Sequence, residues 1–282
     1  MNKNLFKFIL VCTFFLFSCE DKKTMTKNKP PYQAGVVLSF DDSYVNEWFE
    51  ADKKLGHYAW KATFCVSKIS TLNHSEIIKL QELQSKGHEI AGHGYNHLDA
   101  TKFVAQNGIE VYIHQEIDPM IRLMRFYSLK VSSFAYPFGF RNTAIDAGLS
   151  DKFKILRGTT YGTEDPVYQN CYFSNEQLVF ATGIDTDHPN FNISYIIKLL
   201  DFAKRKHKIL IVFGHKPVKN VTANYQTKME TLDLICNYVQ RNDMIFYTLS
   251  ELDNLKQNML SGKNEMYYFY KNAILKGIPE DV

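Results

Sequence analysis

From Gly35 onward, short apolar runs alternate with longer amphipathic runs, and this alternation restricts the possible folds more than any other feature. The pattern is typical of repeated βα units. The predicted strands are Val36 to Phe40, Ala62 to Val66, Glu89 to Gly92, Ser133 to Tyr136, Phe153 to Arg157, Ile209 to Phe213 and Met244 to Leu249. The predicted helices are Tyr44 to Leu55, Ser75 to Lys86, Ile109 to Tyr127, Tyr195 to Lys206 and Lys228 to Arg241. About seven strands joined by helices predict an α/β chain, either a parallel barrel or a doubly wound sheet.

Polar or turn residues follow four of the predicted strands directly. Asp41 and Asp42 follow the first strand, His93 the third, Pro137 the fourth and His215 the sixth. In both architectures, reactive groups gather at the carboxyl ends of the strands. We therefore expect these residues to lie near one another.

Asp41 and Asp42 are adjacent carboxylates, and taking two like charges out of water requires compensation. A divalent cation would supply it, with one Asp as a ligand and the other free to take a proton from bound water. The alternative is that the pair caps and charges the start of the helix at Tyr44 to Leu55, a common use of Asp. Taken alone, the pair favours the cap.

His93 and His97 are four positions apart, which would place both imidazoles on one face if the segment were helical. The HxxxH spacing is a weak signal on its own. With one Asp of the preceding pair, the two histidines complete a three-ligand set that leaves a coordination position open for water. Zinc is the expected ion, with cobalt or nickel as alternatives, since imidazole and carboxylate accept other first-row metals.

His215 follows an almost wholly apolar strand and is a candidate general acid, because imidazole titrates near neutrality. A lone His is more often structural.

Cys65, in an apolar run, is interpreted as a small buried hydrophobe rather than a nucleophile. The remaining histidines are interpreted as surface or packing residues: His57, His74, His88, His114, His188 and His207.

The first residues have the layout of a secretory signal peptide, with two lysines ahead of an apolar stretch. Residues 1–18 end in a sequence that resembles a bacterial lipobox, so Cys19 would carry the lipid. An ordinary signal peptide with an incidental Cys19 is the alternative. Residues 19–33 are interpreted as a flexible tether. The prediction is an extracytoplasmic lipoprotein of the bacterial cell envelope, anchored in the membrane.

The net charge is +3, from 33 basic and 30 acidic residues without a basic block beyond the N-terminus, so the composition predicts no nucleic-acid partner. Without Cys12 and Cys19, three cysteines remain, and an odd number without CxxC spacing argues against a disulfide framework.

Four short segments in this order resemble the motifs of the NodB-type polysaccharide deacetylases, carbohydrate esterase family 4. They are SFDDS, HGYNH, AYPFG and VFGH, and the similarity runs from about Gly35 to Leu252. The resemblance implies a distorted (β/α) barrel over residues 34–256, followed by a tail at 257–282, and removal of acetyl groups from an acetylated glycan.

The resemblance also implies the role of each motif residue. Asp41 would be the general base, and His215 the general acid. Asp42, His93 and His97 would be the metal ligands. Pro137 and Phe138 would form a turn in the substrate groove, with the Phe138 amide helping to hold the oxyanion.

The chain departs from the family pattern at several positions. Ala135 stands where many members have an Arg that orients the base, so Arg141 or Arg157 would have to reach it. The Asp-Trp pair that tunes the acid is not recognisable, and Asp185 is a candidate substitute. Gly94 replaces a Ser or Thr, a change between small residues that should be tolerated.

Three functions remain open. The leading hypothesis is a metal-dependent carbohydrate deacetylase, with N-acetyl favoured over O-acetyl. The alternatives are a catalytically weakened sugar-binding lipoprotein on the same fold and a metallohydrolase of another amide or ester substrate.

Overall fold

A computed structural model of the protein describes residues 32–162, 165–189, 191–259 and 261. Its strands are β1 (Gly35–Asp42), β2 (Thr63–Val66), β3 (Glu89–Gly92), β4 (Ser133–Ala135), β5 (Ile155–Thr160), β6 (Leu178–Gly183), β7 (Ile209–Gly214), β8 (Lys216–Val218), β9 (Gln226–Lys228) and β10 (Ile245–Tyr247). The helices are α1 (Val45–Leu55), α2 (His74–Ser85), α3 (Ala100–Asn107), α4 (Ile109–Tyr112), α5 (Asp118–Phe126), α6 (Thr143–Leu149), α7 (Ile193–Arg205) and α8 (Met229–Arg241). A π-helical turn, Ile113–Ile117, joins α4 to α5, and residues 249–259 form a last helix.

Strands β1 to β7 are parallel neighbours in chain order, and β7 pairs with β1, so the seven strands close into a barrel. The prediction of a distorted (β/α) barrel is confirmed. Strand β10 pairs with Gly35 to Val37 of β1, while β2 pairs with the following part, from Ser39 to Asp42. The predicted strand Met244 to Leu249 therefore lies beside the ring and is not one of its seven strands.

Six of the seven strands of the ring were predicted from the sequence, and β6 was missed. No α-helix separates it from β5 among the described residues, so the expected alternation of strand and helix breaks there. Helices α3 and α6 were not predicted either, and they are only eight and seven residues long.

The barrel has an inner and an outer layer because side chains alternate along each strand. On β1, Val37 belongs to the inner core, and Leu38 belongs to the layer beneath the helices. The inner core includes several small residues, among them Cys65, Ala91 and Ala135. Small side chains leave space inside the barrel for larger groups from other strands.

The predicted segments at the chain ends lie mostly outside the described residues. These are the signal peptide at 1–18, Cys19, almost all of the tether at 19–33 and most of the tail at 257–282. In the part of the chain that is described, no helix has both the length and the apolar character needed to cross a bilayer.

Candidate active site

A cavity of about 470 Å³ opens at the carboxyl ends of the barrel strands. Asp41, Asp42, His93, His97 and His215 all line it, so the structure brings together the five polar side chains that the sequence singled out. Their convergence follows from barrel closure, which turns the ends of parallel strands toward one axis.

Three of these side chains converge on a common point. The Asp42 Oδ1 atom lies 3.3 Å from His97 Nε2 and 3.8 Å from His93 Nε2. The two Nε2 atoms are 3.2 Å apart. Two ligand atoms that are each about 2.1 Å from a shared ion cannot be more than about 4.2 Å apart, and all three distances meet this limit. The set therefore fits a single divalent ion.

His93 is prepared as a ligand by its surroundings. Its Nδ1 atom lies 2.8 Å from the Ala135 carbonyl oxygen, which requires the proton on Nδ1 and leaves the Nε2 lone pair facing the other ligands. Burial lowers the pKa of His93 to about 4, and it also lowers the pKa of His97. Both imidazoles are thus held neutral, the form that binds metals.

Asp41 lies beside the ligand set, but its hydrogen-bond partner is Arg157. One of its oxygens accepts a hydrogen bond from the Arg157 guanidinium, and the other is 4.0 Å from His93 Nε2. Both Asp41 and Arg157 are buried. Burial alone raises the pKa of Asp41, but the Arg157 charge, followed by His93 and His215, lowers it below its usual value. Asp41 is therefore ionised and available as a base.

Arg157 reaches Asp41 from inside the barrel. It lies on β5, in register with Ala135 of β4, the position where the family motif usually has its Arg. The cation therefore lies on the neighbouring strand, at the same level as the motif position. The small Ala135 side chain leaves space for the Arg157 side chain. Arg141, the other sequence candidate, is excluded because it forms an ion pair with Asp146.

His215 is held by Asp185, which follows β6. One Asp185 oxygen lies 2.5 Å from His215 Nδ1, and the other accepts the His215 amide at 3.1 Å. Thr227 donates to the same carboxylate, and Trp48 donates to the His215 carbonyl oxygen at 2.9 Å. Burial lowers the pKa of His215, but the Asp185 hydrogen bond and the Asp41 charge outweigh it, and the pKa is raised. His215 is thereby favoured as a proton donor.

Three site residues have left-handed backbone conformations: Asp42 (φ +82°), His97 (φ +63°) and Phe138 (φ +60°). For residues other than glycine, each such conformation costs about 1–3 kcal/mol and is often found at functional sites. The capping interpretation of the Asp pair is wrong, because Tyr44 occupies the N-cap of α1 without a side-chain cap. The segment from His93 to His97 is a loop, so the two imidazoles are not brought together on the face of a helix.

Exposed aromatic rings border the cavity on both sides. Phe138, which follows Pro137 in the turn after β4, packs against His97 with ring centroids 4.6 Å apart. Tyr225 packs against His215 at 5.1 Å. The other exposed aromatic residues that line the cavity are Phe140 and Tyr161. Aromatic faces of this kind suit the apolar faces of sugar rings.

Sequence reasoning missed three residues that shape this site. His188, interpreted as a surface or packing residue, lines the cavity and stacks on Tyr161 at 5.2 Å. Trp48 and Glu116 are both fully buried. Trp48 donates to the His215 carbonyl oxygen, and Glu116 accepts the Asn96 amide beside His97. No spacing in the sequence connects them to the site. Cys65 is fully buried, as predicted, and burial raises its pKa.

A family model described as polysaccharide deacetylase matches residues 28–152 of the chain. The matched part contains Asp41, Asp42, His93 and His97 and ends before Arg157. The predicted resemblance to this family is confirmed. None of the curated proteins is significantly similar in sequence to the chain.

Solved structures share the fold at low sequence identity. The Xyl-CE4 domain of a multidomain xylanase from the hindgut metagenome of Trinervitermes trinervoides has a TM-score of 0.52 and 17% identity, over 80% of this chain and 92% of that domain. The peptidoglycan deacetylase PdaC from Bacillus subtilis has a TM-score of 0.51 and 15% identity, over 84% of this chain and 98% of that one. At these identities the similarity shows the fold alone.

Proposed function

Residues 28–152 match the polysaccharide deacetylase family model, and on this premise we propose that the chain is a metal-dependent hydrolase that removes acetyl groups from a glycan. The observation that carries the proposal is the arrangement around one cavity. A three-ligand set, an ionised carboxylate and a histidine favoured in its protonated form all face the same space. Hydrolysis of an acyl group needs these three parts.

Asp42, His93 and His97 would hold the ion. A divalent metal there supplies an activated water and polarises the acyl oxygen. Zinc is the proposed ion, because two imidazoles and one carboxylate form a common catalytic zinc set, with cobalt or nickel as alternatives.

Asp41 is the proposed general base. The Arg157 charge keeps its carboxylate ionised, and its free oxygen faces the ligand atoms at 4.0 Å from His93 Nε2. It can therefore accept the proton of a water molecule positioned between itself and the ligand set. Because it is held by Arg157, Asp41 remains oriented during this transfer.

His215 is the proposed general acid. Asp185 holds its Nδ1 atom, which directs Nε2 toward the cavity and favours the protonated ring. The ring can then donate its proton to the departing sugar nitrogen or oxygen. The Phe138 amide, in the strained turn after Pro137, is the proposed oxyanion donor.

The substrate is proposed to be an acetylated glycan, with N-acetyl favoured over O-acetyl. Exposed aromatic rings on both sides of the cavity support a sugar substrate. The predicted signal peptide at residues 1–18 and the lipobox-like position of Cys19 support an extracytoplasmic position, with a lipid anchor in the membrane. A cell-envelope location would give the enzyme access to glycans outside the cytoplasm.

A purely sugar-binding protein is a weaker alternative because the site retains both its base and its acid. Arg157 replaces the missing motif Arg, and Asp185 partners the acid in the absence of the Asp-Trp pair. A binding site would require neither ion pair. The other alternative, a hydrolase of other amides or esters, differs from the proposed function only in its substrate. An assay with acetylated glycans distinguishes the two.

Acetate release tests the proposal. The protein made metal-free with a chelator and the zinc-loaded protein are each incubated with chitin oligosaccharides, poly-N-acetylglucosamine, peptidoglycan and acetylated xylan. We expect zinc-dependent acetate from at least one N-acetylated glycan, and none from the Asp41→Asn variant. Acetate from the xylan alone would overturn the N-acetyl assignment, and no acetate from any glycan would overturn the proposed function.

A further inference from the structure

The loop that contains both histidine ligands does not hold its shape by itself. From Gly94 to Leu98 it has no helical or strand structure, and both Gly94 (φ +88°) and His97 (φ +63°) are left-handed. A residue other than glycine, such as His97, is uncommon in this backbone conformation. The surroundings must therefore supply contacts that keep His97 turned toward His93.

Glu116 supplies these contacts. It lies in the π-helical turn between α4 and α5, and its side chain is fully buried. Its Oε2 atom accepts the Asn96 amide at 2.8 Å and the Asn96 side chain at 3.1 Å. Its Oε1 atom accepts the Leu98 amide at 2.9 Å. One carboxylate thus holds the amides on both sides of His97.

The backbone of Glu116 contributes as well, since its carbonyl oxygen accepts the Tyr95 amide at 3.1 Å. Three amides of the loop are therefore fixed by one residue. Glu116 presents both its carbonyl and its carboxylate to the loop from a π-helical turn, an element that is frequent at functional sites.

Gly94 is matched to Glu116. A Cβ atom at position 94 would lie 2.4 Å from the Glu116 Oε1 atom, closer than any real contact, and the backbone there is left-handed. This close approach explains why the loop has Gly94 where the family motif has Ser or Thr. The carboxylate takes the space that a side chain would occupy.

We propose that Glu116 is a positioning residue for the metal site, which sets the His97 imidazole in its ligand geometry by holding the loop on both sides. The proposal rests on the metal site of the proposed function, but not on its substrate. It predicts that changes at Glu116 weaken metal binding without removing any ligand.

Zinc affinity tests this role without any glycan, by calorimetric titration of the full chain after chelator treatment. Glu116→Ala should lower the affinity about 10- to 100-fold, the usual effect of removing a group that orients a ligand. Glu116→Gln should lower it less, because one amide oxygen remains as an acceptor. Amide hydrogen exchange at residues 95–98 should accelerate in both variants.

Glu89→Gln is the matched control. Glu89 is also a buried carboxylate that binds a hydroxyl and an amide, from Thr63 and Ser250, but it lies on β3 at the other end of the barrel. This variant should keep the wild-type zinc affinity even if its melting temperature falls. A loss of affinity that equals that of Glu116→Gln would show that general destabilisation is the cause.

Gly94→Ala keeps the test decisive if Glu116→Ala does not fold. It should lower zinc affinity with Glu116 intact, because the new methyl group displaces the carboxylate. Wild-type affinity in Gly94→Ala or in a folded Glu116 variant would overturn the proposal. If the wild-type chain binds zinc but deacetylates no glycan, the proposed function fails and the role of Glu116 is still tested.

Discussion

Arg157 reaches across the inside of the barrel from β5 and donates a hydrogen bond to the Asp41 carboxylate at the end of β1. The guanidinium is fully buried and lies over the Phe213 ring, with its central carbon 5.0 Å from the ring centroid. A cation in this position keeps its partner ionised. The proposed base therefore depends on a residue outside the segments that resemble the family motifs.

Arg157→Met removes this charge and should shift the acidic limb of the pH–activity profile to higher pH. The pKa of Asp41 is lowered by Arg157 against the effect of burial, so without the cation the carboxylate ionises only at higher pH. Breaking a buried pair leaves Asp41 without its partner and should cost about 3–5 kcal/mol of folding free energy. Urea denaturation and a pH series of acetate release measure both effects.

Arg141→Met is the control for that variant, because Arg141 pairs with Asp146 and not with Asp41. Its acidic limb should match the wild type. An unchanged limb in Arg157→Met as well would show that Arg157 does not set the ionisation of the base.

Asp185→Asn should lower activity most strongly on the alkaline side. The carboxylate raises the pKa of His215 through their hydrogen bond, so its loss lets the ring release its proton at lower pH. The acid is required in its protonated form, and the basic limb of the profile should move down in pH. At pH 8 we expect a loss of about tenfold, less than the roughly 10²–10⁴-fold cost of removing a general acid altogether.

Asp187→Asn serves as the comparison, since Asp187 lines the same cavity but accepts the Tyr225 amide instead. Its basic limb should not move. If both variants shift equally, the effect reflects the general charge of the cavity and not the Asp185–His215 pair.

Phe140→Ala should weaken substrate binding and leave kcat nearly unchanged. The ring is 47% exposed at the edge of the cavity, where it can stack on a sugar. An aromatic contact of about 0.5–1.5 kcal/mol corresponds to an increase in KM of about 2- to 12-fold. Phe126→Ala removes a 78% exposed ring that does not line the cavity, and its KM should equal the wild-type value. Equal KM values for both variants would exclude Phe140 from the sugar-binding surface.

Cys19→Ser should release the protein from the membrane fraction. If Cys19 carries the lipid, its loss removes the anchor, and the chain should then be found in the soluble extracytoplasmic fraction. Fractionation of cells that express each form, followed by immunoblotting, measures the distribution. Membrane association that persists in the variant would contradict the predicted anchor.

The barrel and the ligand cluster could be predicted because both follow from local patterns. Apolar runs identify the strands, and residues that directly follow parallel strands meet at one end of a barrel. Asp42 is the last residue of β1, and His93 and His97 come shortly after the end of β3, so their convergence was readable from the sequence. The loop conformation of the two histidines was not, because it depends on Glu116, which lies elsewhere in the chain.

The partners of the base and the acid depend on how the barrel closes. The sequence offered Arg141 and Arg157 equally, and only the contacts in the structure distinguish them, because Arg157 pairs with Asp41 and Arg141 pairs with Asp146. Asp185 was predicted as a candidate partner of the acid, but its position could not be predicted because strand β6, which precedes it, was missed. Contacts between distant strands set these positions, and no periodicity within a single segment records them.

The proposed deacetylase mechanism requires the metal site, which zinc titration of the chelator-treated protein tests, with bound zinc and acetate release followed in the same samples. We predict one zinc ion per chain, activity that rises in proportion to bound zinc, and loss of both in His97→Ala. Asp41→Asn should bind zinc as the wild type does and release no acetate. Acetate release by the metal-free protein, or full zinc binding by His97→Ala, would contradict the metal-dependent mechanism.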